Sequence, residues 1–121
     1  MRATRDGLST DEASRRLAEA REAQPDYAIQ LYLIEAETLG NNDKDAQAMQ
    51  VLQAAIRQYP DDLSLLYSRA MLAEKRDDLA QMERDLRSIL QREPENAMAL
   101  NALGYTLADR TTRYAEAKGL I

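Results

Sequence analysis

Apolar residues recur along this chain at helical spacing, in short stretches divided by polar breaks, which predicts a succession of helices about 10 to 16 residues long. Ser9 followed by Glu12 has the spacing of a capping box. Ala13, Leu17 and Ala20 then share one face of a helix expected over about Ser9 to Gln24, closed by Pro25. A second helix starts near Asp26 or Tyr27 and carries Tyr32, Ala36 and Leu39 on one face, until Gly40-Asn41-Asn42-Asp43 turns the chain. The third carries Ala48, Leu52, Ala55 and Ile56 and ends at Pro60, after which Asp61-Asp62 offers capping carboxylates to a fourth bearing Leu66, Ala70 and Ala73. Beyond a charged turn at residues 76–78, a fifth helix presents Met82, Leu86, Ile89 and Leu90 and stops before Pro94. Asn96 is the expected cap of a sixth, LNALGYTLADR, and a seventh begins past Thr111-Thr112 with Tyr114, Ala117 and Ile121. Residues 1–8 are expected to be a loose end, and an apolar helix that stops in mid-face is expected of a piece of something longer.

The pattern also repeats. Ala36, Leu52 and Pro60 return, at one and the same offset, as Ala70, Leu86 and Pro94. Units of roughly 20 to 50 residues repeated at a fixed period bury their apolar faces against their neighbours and stack into a solenoid; a compact bundle of the same helices would need no fixed period. The expectation is therefore an all-α solenoid of antiparallel helical hairpins.

Composition narrows the chemistry. The 121 residues are 45% apolar but only 5% aromatic, with six Tyr and neither Trp nor Phe, so the core must be Ala, Leu, Ile and Met, a helical palette. Four Gly and three Pro leave no linker that would split the chain into separate domains. Sixteen Lys and Arg against 21 Asp and Glu give a net charge of -5, which opposes the phosphate attraction behind nucleic-acid binding. With no Cys and no His, thiol nucleophiles, disulfides, Cys/His zinc sites and imidazole bases are excluded, and neither metal nor cofactor is expected. No apolar run approaches the roughly 18 to 20 residues of a membrane span, and the start MRATRDGLST lacks the apolar stretch of a signal peptide.

The spacing small, twelve on small, four on large apolar, three on small, five on proline, carried by Ala36, Ala48, Leu52, Ala55 and Pro60, resembles the tetratricopeptide repeat. That repeat is a helix-turn-helix unit of about 34 residues. Ala70, Met82, Leu86, Ile89 and Pro94 keep the spacing with larger residues at two small positions, so the helices of that unit are expected to sit further apart or to tilt. Leu100, Leu103, Gly104 and Leu107 reproduce the first-helix signature with Leu in place of the usual Trp and Tyr, Ala117 and Ile121 follow one residue late, and Ala13, Leu17, Ala20 and Pro25 match the second helix of a preceding unit. The resemblance implies a right-handed α-solenoid forming a single domain over 1–121: a preceding second helix at 9–25, repeats at 28–61 and 62–95, and a partial repeat at 96–121. Ala36, Ala70 and Gly104 then mark close helix approach, where a larger side chain would overpack by roughly 1 to 3 kcal/mol. The run LNALGYTLADRTTRYAEA is also similar to one found in bacterial outer-membrane lipoproteins built of these repeats, one of which serves as adaptor for a carboxyl-terminal processing protease in the periplasm. That closer resemblance implies an internal fragment, since the chain has no Cys to lipidate, and a place on the periplasmic side of the outer membrane; without it, the cytoplasm is the expectation.

In this family the first helix of each unit lines a concave face. Carried onto this sequence, the residues one turn either side of the small residue are Leu33 and Glu37, then Ser64, Tyr67, Met71 and Glu74, then Met98, Asn101, Tyr105 and Ala108, a mixed apolar and polar strip for a protein or peptide partner. Tyr67 and Tyr105 are the strongest contact candidates, because a ring with a polar tip gives large contact area at low entropic cost; partial burial as packing residues is the alternative for both, and core filling is the alternative for Met71. Glu35 and Arg69 hold equivalent places where the family commonly has an apolar residue, as Leu103 does in the third unit. They are expected to face each other across the unit boundary, or else to be two solvated charges worth roughly 0 to 1 kcal/mol. The basic stretch 84–92 alternates with acids and reads as a solvated face. Glu93 and Glu95 flank Pro94 with no nucleophile nearby and make a weak acid-base pair.

Three functions follow. A protein-binding scaffold or adaptor, delivering substrates to or activating a processing protease, is the first. A carboxylate hydrolase would need convergent perturbed acids that this sequence does not display. Self-association, as a homodimer or envelope assembly module through exposed terminal helices, is the third, since uncapped arrays leave apolar faces open.

Overall fold

The computed structural model describes residues 9–110, with side chains through Thr106. Over these residues run six α-helices: α1 Thr10–Ala23, α2 Ala28–Asn41, α3 Asp45–Gln58, α4 Leu63–Lys75, α5 Leu79–Arg92 and α6 Ala97–Arg110, with a 3-10 turn at Pro25–Tyr27 between the first two. The sequence-predicted loose end at 1–8 and the seventh helix lie outside the described residues.

Short polar side chains start four of the helices. The Ser9 hydroxyl accepts from the Glu12 amide at 3.1 Å, Asp62 from Leu65 at 3.0 Å, Asp78 from Gln81 at 3.2 Å and Asn96 from Ala99 at 2.9 Å, each satisfying one of the amides a helix leaves open at its first turn. Prolines close others: the Gln24 and Tyr59 amides still reach back to Ala20 and Ala55, and Pro25 and Pro60, lacking an N–H, end the ladder one residue later.

The turn between α2 and α3 and the turn between α4 and α5 are copies of each other. Asp43 and Asp77, at equivalent places in the two repeats, are both left-handed with φ of 60°. The residue after each sends its amide back five positions, Lys44 to Leu39 at 2.9 Å and Asp78 to Ala73 at 2.8 Å, while Asp43 and Asp77 bond Gly40 and Glu74. This is a left-handed helix stop in which Asp takes the place glycine usually fills. Identical turns give identical hairpin geometry, and that is how a sequence period becomes a structural one.

Each helix packs on its neighbours in sequence, and α2 also touches α4; α1 makes no substantial contact with α5 or α6. The chain is thus an all-α solenoid of stacked hairpins, in which a unit meets only its neighbours. The apolar faces form two linked clusters. One joins Ala36, Leu39, Ala48, Leu52, Ala55 and Leu65; the other joins Met49, Leu66, Ala70, Ala73, Met82, Leu86, Ile89, Ala99 and Leu103. Successive residues of α4, Leu65 and Leu66, point into different clusters, so α4 is a shared wall.

The small residues sit where helices approach: Ala36, Ala48, Ala55, Ala70, Ala73 and Gly104 are all buried. The expected widening of the second repeat does not occur. Met82 and Ile89 are 2% and 1% exposed, and α4 and α5 are the most extensively packed helix pair among those described. The two larger side chains fill the shared core that Leu66, Leu86 and Leu103 enter from three helices, so their added volume is taken up in the cluster instead of prying α4 from α5.

Candidate functional site

The first helices of two successive units, α2 and α4, lie side by side, and a groove with two depressions runs along α4, the larger against α2 and the smaller extending towards α5 and the start of α6. The larger encloses about 490 Å³. Leu33 and Glu37 line it from α2, Tyr67 and Met71 from α4, Leu52 reaches it from α3, and Lys75 stands at one end. A smaller depression of about 290 Å³ adjoins it, lined by Leu63, Ser64, Ile89, Asn96 and Met98. Leu33, Tyr67 and Ser68 line both, and the two large side chains stand as a ridge between them.

Of the residues singled out from the sequence, Leu33, Glu37, Tyr67 and Met71 converge on the larger space, while Ser64 and Met98 meet the Leu33–Tyr67 ridge at the smaller. Glu74, half-buried on α4, lines neither. Asn101 and Tyr105 are exposed on α6 and also line neither; Tyr105 is 56% exposed. Seven residues separate Met98 from Tyr105, about 10 Å along a helix, and only the Met98 end of α6 reaches the space before the first turn of α4. Ala108 lies beyond the described side chains. Lys75 escapes the strip expected from the sequence because it stands five residues past Ala70, more than one turn away. The period could have found it, since its equivalent in the preceding repeat, Asn41, also lines the larger depression.

The charges of the groove are few and unequally engaged. Lys75 Nζ donates to the Gly40 carbonyl oxygen and to Asp45 Oδ1, both at 2.9 Å, so this ammonium ties the end of α4 to the end of α2 and the start of α3. Glu37 is exposed on the groove lip and has no such partner.

Two largely buried polar clusters join neighbouring helices. Glu35 accepts from Ser14 and from Arg21, both on α1, and the Arg21 guanidinium stacks 4.0 Å from the centre of the Tyr32 ring. Arg69 grips Asp85 of α5 with two hydrogen bonds, Nε to Oδ2 at 2.9 Å and Nη2 to Oδ1 at 2.8 Å, and Gln81 adds a third to Oδ1 at 3.1 Å. The Asp85 hydrogen bond, helped by its charge and opposed by burial, raises the Arg69 pKa above its ordinary value. The expected Glu35–Arg69 contact is therefore corrected. Glu35 turns back to the preceding helix while Arg69 turns forward to the following one. Among the described residues no buried side-chain nitrogen or oxygen is left without a hydrogen-bond partner.

Among the described residues no group of acids is placed to hold a metal ion, and no helix is long and apolar enough to cross a membrane. The Glu93 carboxylate accepts from Asn96 at 2.8 Å. No family model matches the chain. It is similar to the TPR repeat-containing protein PA4667 of Pseudomonas aeruginosa, with 70% identity over 111 residues, 92% of this chain and 19% of that protein. The chain thus spans about a fifth of the length of the curated relative it matches.

Proposed function

We propose that the chain is a segment of a tetratricopeptide-repeat scaffold that holds a protein partner in the groove between α2 and α4 and performs no chemistry of its own. The observation that carries this reading is the ridge of Leu33 and Tyr67 between two depressions of about 490 and 290 Å³, a largely apolar, aromatic-centred concavity. Such a ridge is what a binding hot spot needs: a ring anchored by its neighbours, offering area at low entropic cost. The repeats named in the similar Pseudomonas protein support it.

The finer version of this reading is an adaptor on the periplasmic side of the outer membrane, presenting substrates to or activating a carboxyl-terminal processing protease. It is supported by the run LNALGYTLADRTTRYAEA, which resembles that of envelope lipoproteins. The test is affinity capture from a bacterial envelope extract on the chain and on Tyr67→Ala, read by quantitative mass spectrometry. Loss of an anchoring ring costs about 2 kcal/mol, so captured partners should fall by roughly 30-fold. A processing protease among them supports the adaptor version; equal capture by both proteins removes the groove from the function.

A second reading, self-association, has one observation behind it. Tyr27, at the N-terminal cap of α2, and Ile34 on that helix, seven residues on, are 58% and 49% exposed. Ile34→Asp is expected to abolish any rise of mass with concentration in light scattering; a mass that rises equally in both proteins rules this surface out.

A further inference from the structure

We infer that the segment held in the α2/α4 groove carries two bulky apolar side chains, one for each depression, and a lysine or arginine beside the one that enters the larger. The inference rests on the groove reading above and adds the chemistry of the partner.

The apolar part follows from the lining. The smaller depression has no charged side chain around it: Leu33, Leu63, Tyr67, Ile89 and Met98 supply most of its walls beside the small polar Ser64, Ser68 and Asn96, with the unbranched thioether of Met98, 59% exposed, free to close over what enters. The larger is floored by Leu33, Leu52, Tyr67 and Met71. Each has room for a large side chain, and the shared ridge keeps two occupants separate. Ser64 marks one space and Met71 the other. The seven residues between them rise about 10 Å along α4, which is also the distance between positions i and i+7 of a bound helix.

The charge follows from what is already engaged. Glu37 and Lys75 are the charged side chains that line the two spaces. Lys75 is held by the Gly40 carbonyl and neutralised by Asp45, so it offers little to an incoming anion. Glu37 stands exposed on the lip without a cation, and Glu95, next to Asn96 at the smaller depression, is likewise exposed and unpaired. A partner that presents a carboxylate would meet two like charges on a chain of net charge -5, whereas a cation would complete the Glu37 pair.

The test is a displayed library of random peptides panned at low salt against the immobilised 121-residue chain, with Tyr67→Ala as the counter-selection, followed by anisotropy of a fluorescent peptide of the enriched sequence. The expected consensus has two bulky apolar residues and a lysine or arginine at a fixed distance from one of them. Glu37→Lys should weaken that peptide by about threefold to tenfold, and exchanging the cation of the peptide for glutamate should restore binding to Glu37→Lys. Peptides that depend on Tyr67 but carry an acidic or neutral consensus, or that bind Glu37→Lys unchanged, overturn this inference and leave the groove standing. No enrichment, or enrichment indifferent to Tyr67→Ala, overturns the groove reading and this inference with it.

Discussion

Leu86→Ala is expected to destabilise the chain by about 3 kcal/mol, with the melting temperature falling by roughly 12 °C. Leu86 is fully buried at the centre of the larger cluster, where α4, α5 and α6 contribute Leu66, Met82, Ile89 and Leu103 around it. The neighbours are themselves fixed by helices on both sides, so the space left by the missing carbons cannot close completely, and the cavity cost adds to the lost transfer energy. In a solenoid a damaged unit is felt by its neighbours and fades beyond them. Amide exchange in Leu86→Ala should therefore accelerate most in α5 and α6 and least in α1, which makes no substantial contact with either. Uniform acceleration across all six helices would mean that the array melts as one unit and that the stacked description understates its cooperativity.

The sequence alone singles out Leu86 for this substitution. Leu52 and Leu86 take their core positions from the repeat period, and a period survives into three dimensions only if the turns that connect the helices are also copies. Asp43 and Asp77 provide this, each left-handed at 60°, each followed by the same long backward hydrogen bond. The caps at Ser9, Asp62 and Asn96 are legible because they depend on residues three positions apart. Distances between elements are not. Met82 and Ile89 look too large for their positions, yet whether a large residue separates two helices or fills a space among three is decided by the third helix, α6, whose contribution no local spacing encodes.

The groove shows the same division. Its floor is legible because Leu33 and Tyr67 stand one turn before, and Met71 directly after, a small residue that fixes how α2 meets α4. Its length is not. Tyr105 shares the register of Met71 but lies on α6, away from both depressions, and Lys75 enters from beyond one turn. Register along a helix repeats with the period; the mouth of a groove depends on which helix ends meet, and that is settled by contacts such as Lys75 with Gly40 and Asp45.

Arg69 and Asp85 form a largely buried charged pair between α4 and α5, and this makes their coupling measurable. Removing either partner should be costly and removing both should not. Arg69→Leu leaves the Asp85 carboxylate, 3% exposed, with Gln81 as its hydrogen-bond donor, and should cost about 3 kcal/mol. Asp85→Leu should cost somewhat less, about 2 kcal/mol, because the Arg69 side chain is 19% exposed and its long stem lets the guanidinium reach water. The double variant Arg69→Leu/Asp85→Leu replaces the pair with apolar groups and should fall within about 1 kcal/mol of the parent, a coupling of about 4 kcal/mol in a urea-melt cycle. Arg69 has its pKa raised, so its contribution is complete at every pH below its unfolded value and is lost only in strong alkali; the Arg69 side of the cycle therefore adds no pH dependence near neutrality. Additive losses in the double variant would show that the two residues act separately. The bidentate grip would then be a geometric coincidence, and the orientation of α4 against α5 would rest on the apolar cluster alone.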